Sequence, residues 1–188
     1  MILELPKPKQ RNLFFTKDVD AESIAKLTEA LIEIEESDKD LKKIYELYDL
    51  VYTPKPIKIY IDSYGGYVYQ CYGLLSVMKA CKTPIHTIVT GCAMSCGFLM
   101  AITGHRRFAY PKSTLMYHQI SSGSWGKAKD IEERIVETKR LQKMLEQHTL
   151  EHTGVTKEKL KEVYKTKFDW YMTAKEALEL KVLDEILS

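Results

Sequence analysis

Apolar residues recur along this chain in two rhythms, a period of two and a period near three and a half. Leu13-Phe14-Phe15 reads as a short strand. Asp20 can cap a helix, and after it Ile24, Leu27, Leu31 and Ile34 fall three and four apart, which predicts one buried helical face. Glu33, Glu35, Glu36 and Asp38 read as a solvated acidic surface. Leu41, Ile44, Tyr45, Leu47 and Tyr48 predict a second amphipathic helix, closed by Pro54 and Pro56. Residues 57–62 are a β-rich run that stops at Ser63-Tyr64-Gly65-Gly66. A helix is predicted over 67–80, and Pro84 leads into a strand over 85–89. Gly91-Cys92-Ala93-Met94-Ser95-Cys96-Gly97 then reads as a sharp strand-to-helix turn, with the helix over 96–103. Short strands are predicted over 107–110 and 113–118, and a loop or weakly specified strand over 119–126. A long helix follows over about 128–152, its less polar face formed by Ile131, Ile135, Thr138, Leu141, Leu145 and His148. A shorter helix over 156–164, an aromatic segment over 168–172 and a helix from Thr173 to Leu180 close the chain, the last with Glu176 in the capping-box position.

Strand, glycine turn, helix, strand occurs twice in succession, over 57–89 and 85–110. Each is a βαβ unit, so the expected class is α/β with a parallel sheet and right-handed crossovers. In such sheets ligands bind beyond the carboxyl ends of the strands. Gly65, Gly66 and Ser95 all fall on that edge. A single domain over residues 1–188 is expected, with 1–12 as a mobile arm.

Composition narrows the function. A net charge of +2 and the lack of a basic stripe argue against a nucleic-acid partner. Residues 83–104 carry no Lys, Arg, Asp or Glu, but Thr, Pro, Ser and Gly interrupt them, so a buried strand–turn–helix is expected there rather than a membrane span. The first residues lack a basic region followed by an apolar core, so a cytoplasmic protein with no membrane partner is expected. Cys71, Cys81, Cys92 and Cys96 all lie in segments that read as buried. No second ligand pair accompanies Cys92 and Cys96, so reduced thiols and no metal are expected.

The chemistry-bearing candidates are Ser95, His118 and Asp169. A serine in the first turn of a helix lies near N–H groups without helical partners, where negative charge is favoured. The same serine also fits an ordinary helix cap. A serine hydroxyl needs a base, and an unperturbed histidine with a pKa near ~6.5 can serve at neutral pH. Of the five histidines, His118 ends a strand on the edge expected for Ser95, while His86 begins a strand on the opposite edge. His148 and His152 read as packing or surface residues of the long helix. Asp169 stands among aromatics, where an unpaired carboxylate is costly; a salt bridge or a capping role near Thr173 is the other reading. Gly66 and Cys96 are the candidate pair of oxyanion N–H donors.

Four segments resemble the proteolytic subunit of the Clp protease, of the crotonase-like superfamily. Residues 59–66 resemble its strand and glycine turn, 91–97 its Gly-x-Ala-x-Ser-x-Gly turn, 116–119 its Met-x-His-Gln, and 169–177 its acidic motif. The resemblance implies a crotonase-like fold of repeated β-β-α units, with a parallel sheet core and a projecting handle helix over about 127–153. It implies Ser95 as nucleophile, His118 as base, Asp169 as orienting acid, and Gly66 and Cys96 as the oxyanion hole. It further implies that Gly65, Gln119, Ile120 and Ser121 bind an extended peptide substrate. The resemblance implies a self-compartmentalised homo-oligomer, a tetradecamer of two stacked heptameric rings. Such an assembly takes unfolded protein from an AAA+ unfoldase, with no cofactor in this subunit because ATP is used by the unfoldase. Tyr64 replaces the family's proline and Cys92 its glutamine. Residues 38–56 look like an insertion, and Lys58 stands where an aromatic of the docking pocket is common, while Tyr60 keeps a second. Two other readings stay open: a crotonase-type acyl-CoA enzyme reusing the paired N–H groups, and a regulatory or structural subunit assembling with an active paralogue.

Overall fold

The computed structural model describes residues 9–123, 125–166 and 169–188. Part of the aromatic segment predicted at 168–172 therefore lies outside the described residues. The elements run β1 (Asn12–Phe15), α1 (Ala21–Glu46), β2 (Ile57–Ser63), α2 (Val68–Ala80), β3 (Ile85–Met94), α3 (Cys96–Thr103) and β4 (Arg106–Ala109). They continue with β5 (Thr114–Tyr117), α4 (Ala128–His152), α5 (Lys157–Thr166), β6 (Trp170–Thr173), α6 (Ala174–Glu179) and β7 (Glu185–Ile186). The class is α/β, as expected. The seven strands among the described residues form one sheet in which β1, β2, β3, β4 and β7 are neighbours in that order, all parallel. β5 joins β3 in parallel, and β6 joins β5 antiparallel.

β3 departs from the sequence reading in a way that shapes the site. Its strand does not end at Val89 but continues through Gly91 to Met94. Opposite β2, Ile61 faces Val89 whereas Ser63 faces Ala93, so β3 carries extra residues there, a bulge that re-aims the strand. Cys92 N–H donates to Asp62 Oδ1 at 2.9 Å across this bulge. The first half of β3 pairs with β4 and the second half, Cys92 to Met94, with β5.

α3 is buried at every position. A helix apolar all round belongs in a core, and each large side chain there, Phe98 and Ile102 among them, contributes about 1.5–3 kcal/mol on burial. α4 packs on α3, and its second half buries Leu141, Gln142, Leu145 and Thr149. Thr103 Oγ1 and His148 Nε2 lie 2.8 Å apart at this contact. Burial, then the neighbouring His152, pushes the His148 pKa down to about 4, so its ring is neutral. The first half of α4 is different: Ile135 and Val136 are exposed and its buried residues all lie from Leu141 onward. The first half of α4 thus leaves its apolar side chains uncovered.

Two expectations are corrected in the amino-terminal third. The helices predicted on either side of residue 37 are one continuous α1. Asp38 is not on a solvated face: it is 5% exposed and takes the next place in the stripe Ile24, Leu27, Leu31, Ile34, Asp38, Leu41. Arg11 makes a paired contact with its carboxylate, Nη1 reaching Oδ2 at 2.9 Å, while Thr83 Oγ1 donates at 2.6 Å and the Tyr52 hydroxyl at 2.6 Å. Burial alone would raise the Asp38 pKa; these donors outweigh it and hold it below the ordinary carboxylate value. The described part of the predicted arm is therefore anchored. Arg11 also donates to the Lys55 carbonyl, and its own carbonyl accepts from Lys58 N–H at 2.7 Å.

Removing one partner of such a buried pair strands the other. Asp38→Ala should lower unfolding free energy by about 3–5 kcal/mol, read as a shift in the urea midpoint, and the paired change Arg11→Met with Asp38→Leu should cost less. Because the folded carboxylate has a lowered pKa, its contribution is present above the unfolded value near ~3.9 and is lost as pH falls through the folded one. Midpoints of the wild type and Asp38→Ala should therefore converge below about pH 4.

Candidate active site

Strand register brings the three candidates together. Met94 of β3 is paired with Met116 of β5, and the Ser95 N–H donates to the Met116 carbonyl at 2.9 Å. That places Ser95 beside the residues that end β5. β5 and β6 run antiparallel with Tyr117 opposite Trp170, so one further step sets His118 opposite Asp169. The resulting distances are 2.8 Å from Ser95 Oγ to His118 Nε2 and 3.4 Å from His118 Nδ1 to Asp169 Oδ1. The arrangement suits an imidazole with its proton on Nδ1, facing the carboxylate, and a bare Nε2 facing the hydroxyl. The Asp169 side chain is 52% exposed.

Ser95 has φ 53° and ψ −118°, a conformation that costs an ordinary residue about 1–3 kcal/mol. The strain is the local price of turning from β3 into α3 without a spacer, and it leaves the hydroxyl free of a capping bond. Ser95 is thus not the ordinary cap that the sequence left open.

The Gly65-Gly66 turn lies against this elbow. A Cβ on Gly65 would stand 2.7 Å from both the Met94 carbonyl oxygen and Ser95 Cβ. Gly66 has φ 148° and is bridged to Val19: Val19 N–H donates to the Gly65 carbonyl at 2.7 Å, and Tyr67 N–H to the Val19 carbonyl at 2.8 Å. In a trans peptide the N–H and C=O point opposite ways. Fixing the Gly65 carbonyl toward Val19 therefore turns the Gly66 N–H away from it. Cys96 opens α3, so its N–H belongs to the helix's unpartnered first turn.

A cavity of about 260 Å³ runs beside the elbow, lined by Tyr64, Gly66, Ser95, Cys96, His118, Gln119, Ile120 and Ser121 on its polar side. Val68, Leu99, Met116 and Leu145 line the rest. Ile120 N–H donates to Gln142 Oε1 on α4 at 2.9 Å, which turns that residue toward the helix. Gln142, Val68 and Leu99 were not singled out in the sequence, and Leu145 only as part of the less polar face of the long helix. The one signal for Gln142 is an amide next to Leu141 in the buried stripe of a long helix. A larger cavity, about 400 Å³ between β1 and α1, contains none of the three candidates.

The family model described as Clp protease matches residues 8–188. This chain belongs to the Clp protease family. Among similar proteins, the ATP-dependent Clp protease proteolytic subunit of Bacteroides fragilis is 36% identical over 141 residues, covering 74% of this chain and 67% of that protein. The protein of the same description from Dehalococcoides mccartyi is 34% identical over 135 residues, covering 71% and 66%. The one from Porphyromonas gingivalis is 37% identical over 135 residues, covering 71% and 60%. The matched region spans 60–67% of these relatives' own length. The mostly parallel α/β sheet agrees with membership of the Clp protease family. No helix among the described residues is long and apolar enough to cross a membrane.

The glycines offer a test with opposite signs. Gly66→Ala would set a Cβ 2.3 Å from the Val19 carbonyl oxygen and should cost roughly 2–3 kcal/mol. Gly73→Ala, inside α2 with nothing within 4 Å, should add up to about 1 kcal/mol. Thermal denaturation of the two variants should move in opposite directions.

Proposed function

We propose that this protein is a serine endopeptidase subunit that cleaves unfolded polypeptide through an acyl-enzyme formed on Ser95. The observation that carries the reading is the hydroxyl–imidazole–carboxylate line, with His118 2.8 Å from Ser95 and facing Asp169 on its other nitrogen. Ser95 Oγ attacks the scissile carbonyl carbon while its proton passes to His118 Nε2. Asp169 holds the imidazole orientation and stabilises the imidazolium. The developing oxyanion lies between the N–H groups of Gly66 and Cys96. His118 returns the proton to the departing amine, and water, deprotonated in turn by His118, releases the acyl group. Gly65, Gln119, Ile120 and Ser121 line the path of an extended peptide, which adds alongside the segment after β5.

Family membership supports an oligomeric assembly working with a Clp-type ATPase. In this reading the chain forms two stacked heptameric rings, joined through the exposed first half of α4. ATP is consumed by the partner unfoldase, and the subunit itself needs no cofactor. The stacked Phe14 and Tyr60 rings, 4.9 Å apart beside the β1–α1 cavity, support an apolar docking surface for that partner.

Ser95→Ala should abolish hydrolysis of a fluorogenic peptide and labelling by a fluorophosphonate. Asp169→Asn should reduce kcat by up to about 10⁴-fold with assembly intact. Native mass measured on the same samples reports ring formation. Turnover that survives in Ser95→Ala would overturn the assignment, and an assembled wild type without turnover would favour a regulatory subunit.

A further inference from the structure

We infer that the Cys96 side chain is a positioning residue of the oxyanion hole, its thiol tying together the two turns that supply the N–H donors. The inference rests on the serine peptidase reading and extends it to a side chain that reading does not use. Four hydrogen bonds anchor the Ser63–Tyr67 turn. Ser63 Oγ donates to the Lys17 carbonyl at 2.6 Å, and Gly65 N–H donates to Ser63 Oγ at 3.2 Å. The other two are the pair with Val19. Three of the four run to Lys17 and Val19 in the β1–α1 connection and the fourth lies within the turn itself, so none reaches α3. Toward α3 the turn packs closely on Ser95 and Gly97, and the Cys96 thiol adds a hydrogen bond, donating to the Gly66 carbonyl at 3.3 Å. The Cys96 carbonyl accepts in turn from the Cys71 thiol of α2 at 3.5 Å.

Both cysteines are shut away from solvent, at 2% and 0% exposure. The result is a relay from α2 to α3 to the glycine turn, closed entirely by thiols. A single S–H···O bond is weak. Its location gives it leverage, because oxyanion donors act over a window of a few tenths of an ångström. Gly66 and Cys96 are the two residues so joined, and each contributes one donor. A side chain of similar volume without a donor fills the same space but releases the turn. A hydroxyl restores the link.

Cys96→Val and Cys96→Ser test this in the assembled protein. Peptide hydrolysis is measured together with hydrogen exchange of the segment 63–68 by mass spectrometry. Cys96→Val should lose about tenfold in kcat with KM within about twofold, and should exchange faster over 63–68. Cys96→Ser should recover kcat to within about threefold and restore slow exchange. Equal kcat and equal exchange in Cys96→Val and wild type would overturn the inference. So would serine and valine failing alike, because a hydroxyl in the thiol's place would then not have restored the link. A wild type without Ser95-dependent turnover defeats the peptidase reading instead, and the exchange data then decide the thiol link by themselves.

Discussion

The hydrogen bond from the Ser95 N–H to the Met116 carbonyl is the constraint on which the site depends. It fastens the strained elbow to β5 at the point where β3 stops being a strand. From there strand register does the rest, setting His118 beside Ser95 and Asp169 across from His118. Three residues from distant parts of the chain meet because two ladders share β5. The cost of the positive φ at Ser95 is met by the burial of α3 directly behind it, a helix with no solvent-facing side.

Most of this was legible in the chain. The βαβ rhythm, the glycine turn, the strand-ending histidine and the capping box at Thr173 and Glu176 are local patterns, and local patterns survive into the fold. β3 was less legible. A glycine two residues after an apolar run reads as its end, yet the bulge opposite Ile61 and Ser63 lets the strand absorb Gly91 and go on to Met94. Gln142 and Leu145 reach the cavity from a helix some twenty residues away in sequence, and only tertiary packing reveals that.

The acids were the hardest to read. Asp38 sits in a run of carboxylates and reads as surface, but helical phase carries it onto the buried stripe, where Arg11 balances its charge and Tyr52 and Thr83 donate to it. Asp169 sits among aromatics, where an unpaired carboxylate is costly, yet its side chain lies half in solvent. Neighbours in sequence report burial poorly for a charged residue; phase along the element and the availability of a donor report it better. The buried carboxylate is locked by several donors, whereas Asp169 faces a single partner among the described residues, His118, and is otherwise open.

Arg11 gives the amino terminus a consequence of its own. The guanidinium reaches inward from the residue just ahead of β1 to neutralise a charge on α1 and to hold the backbone at Lys55. Trimming the chain up to residue 10 spares this anchor, while trimming one residue more leaves the buried carboxylate without its counter-ion. Any maturation or fusion at this end has a hard boundary, set not by where the first strand begins but by the last cation before it.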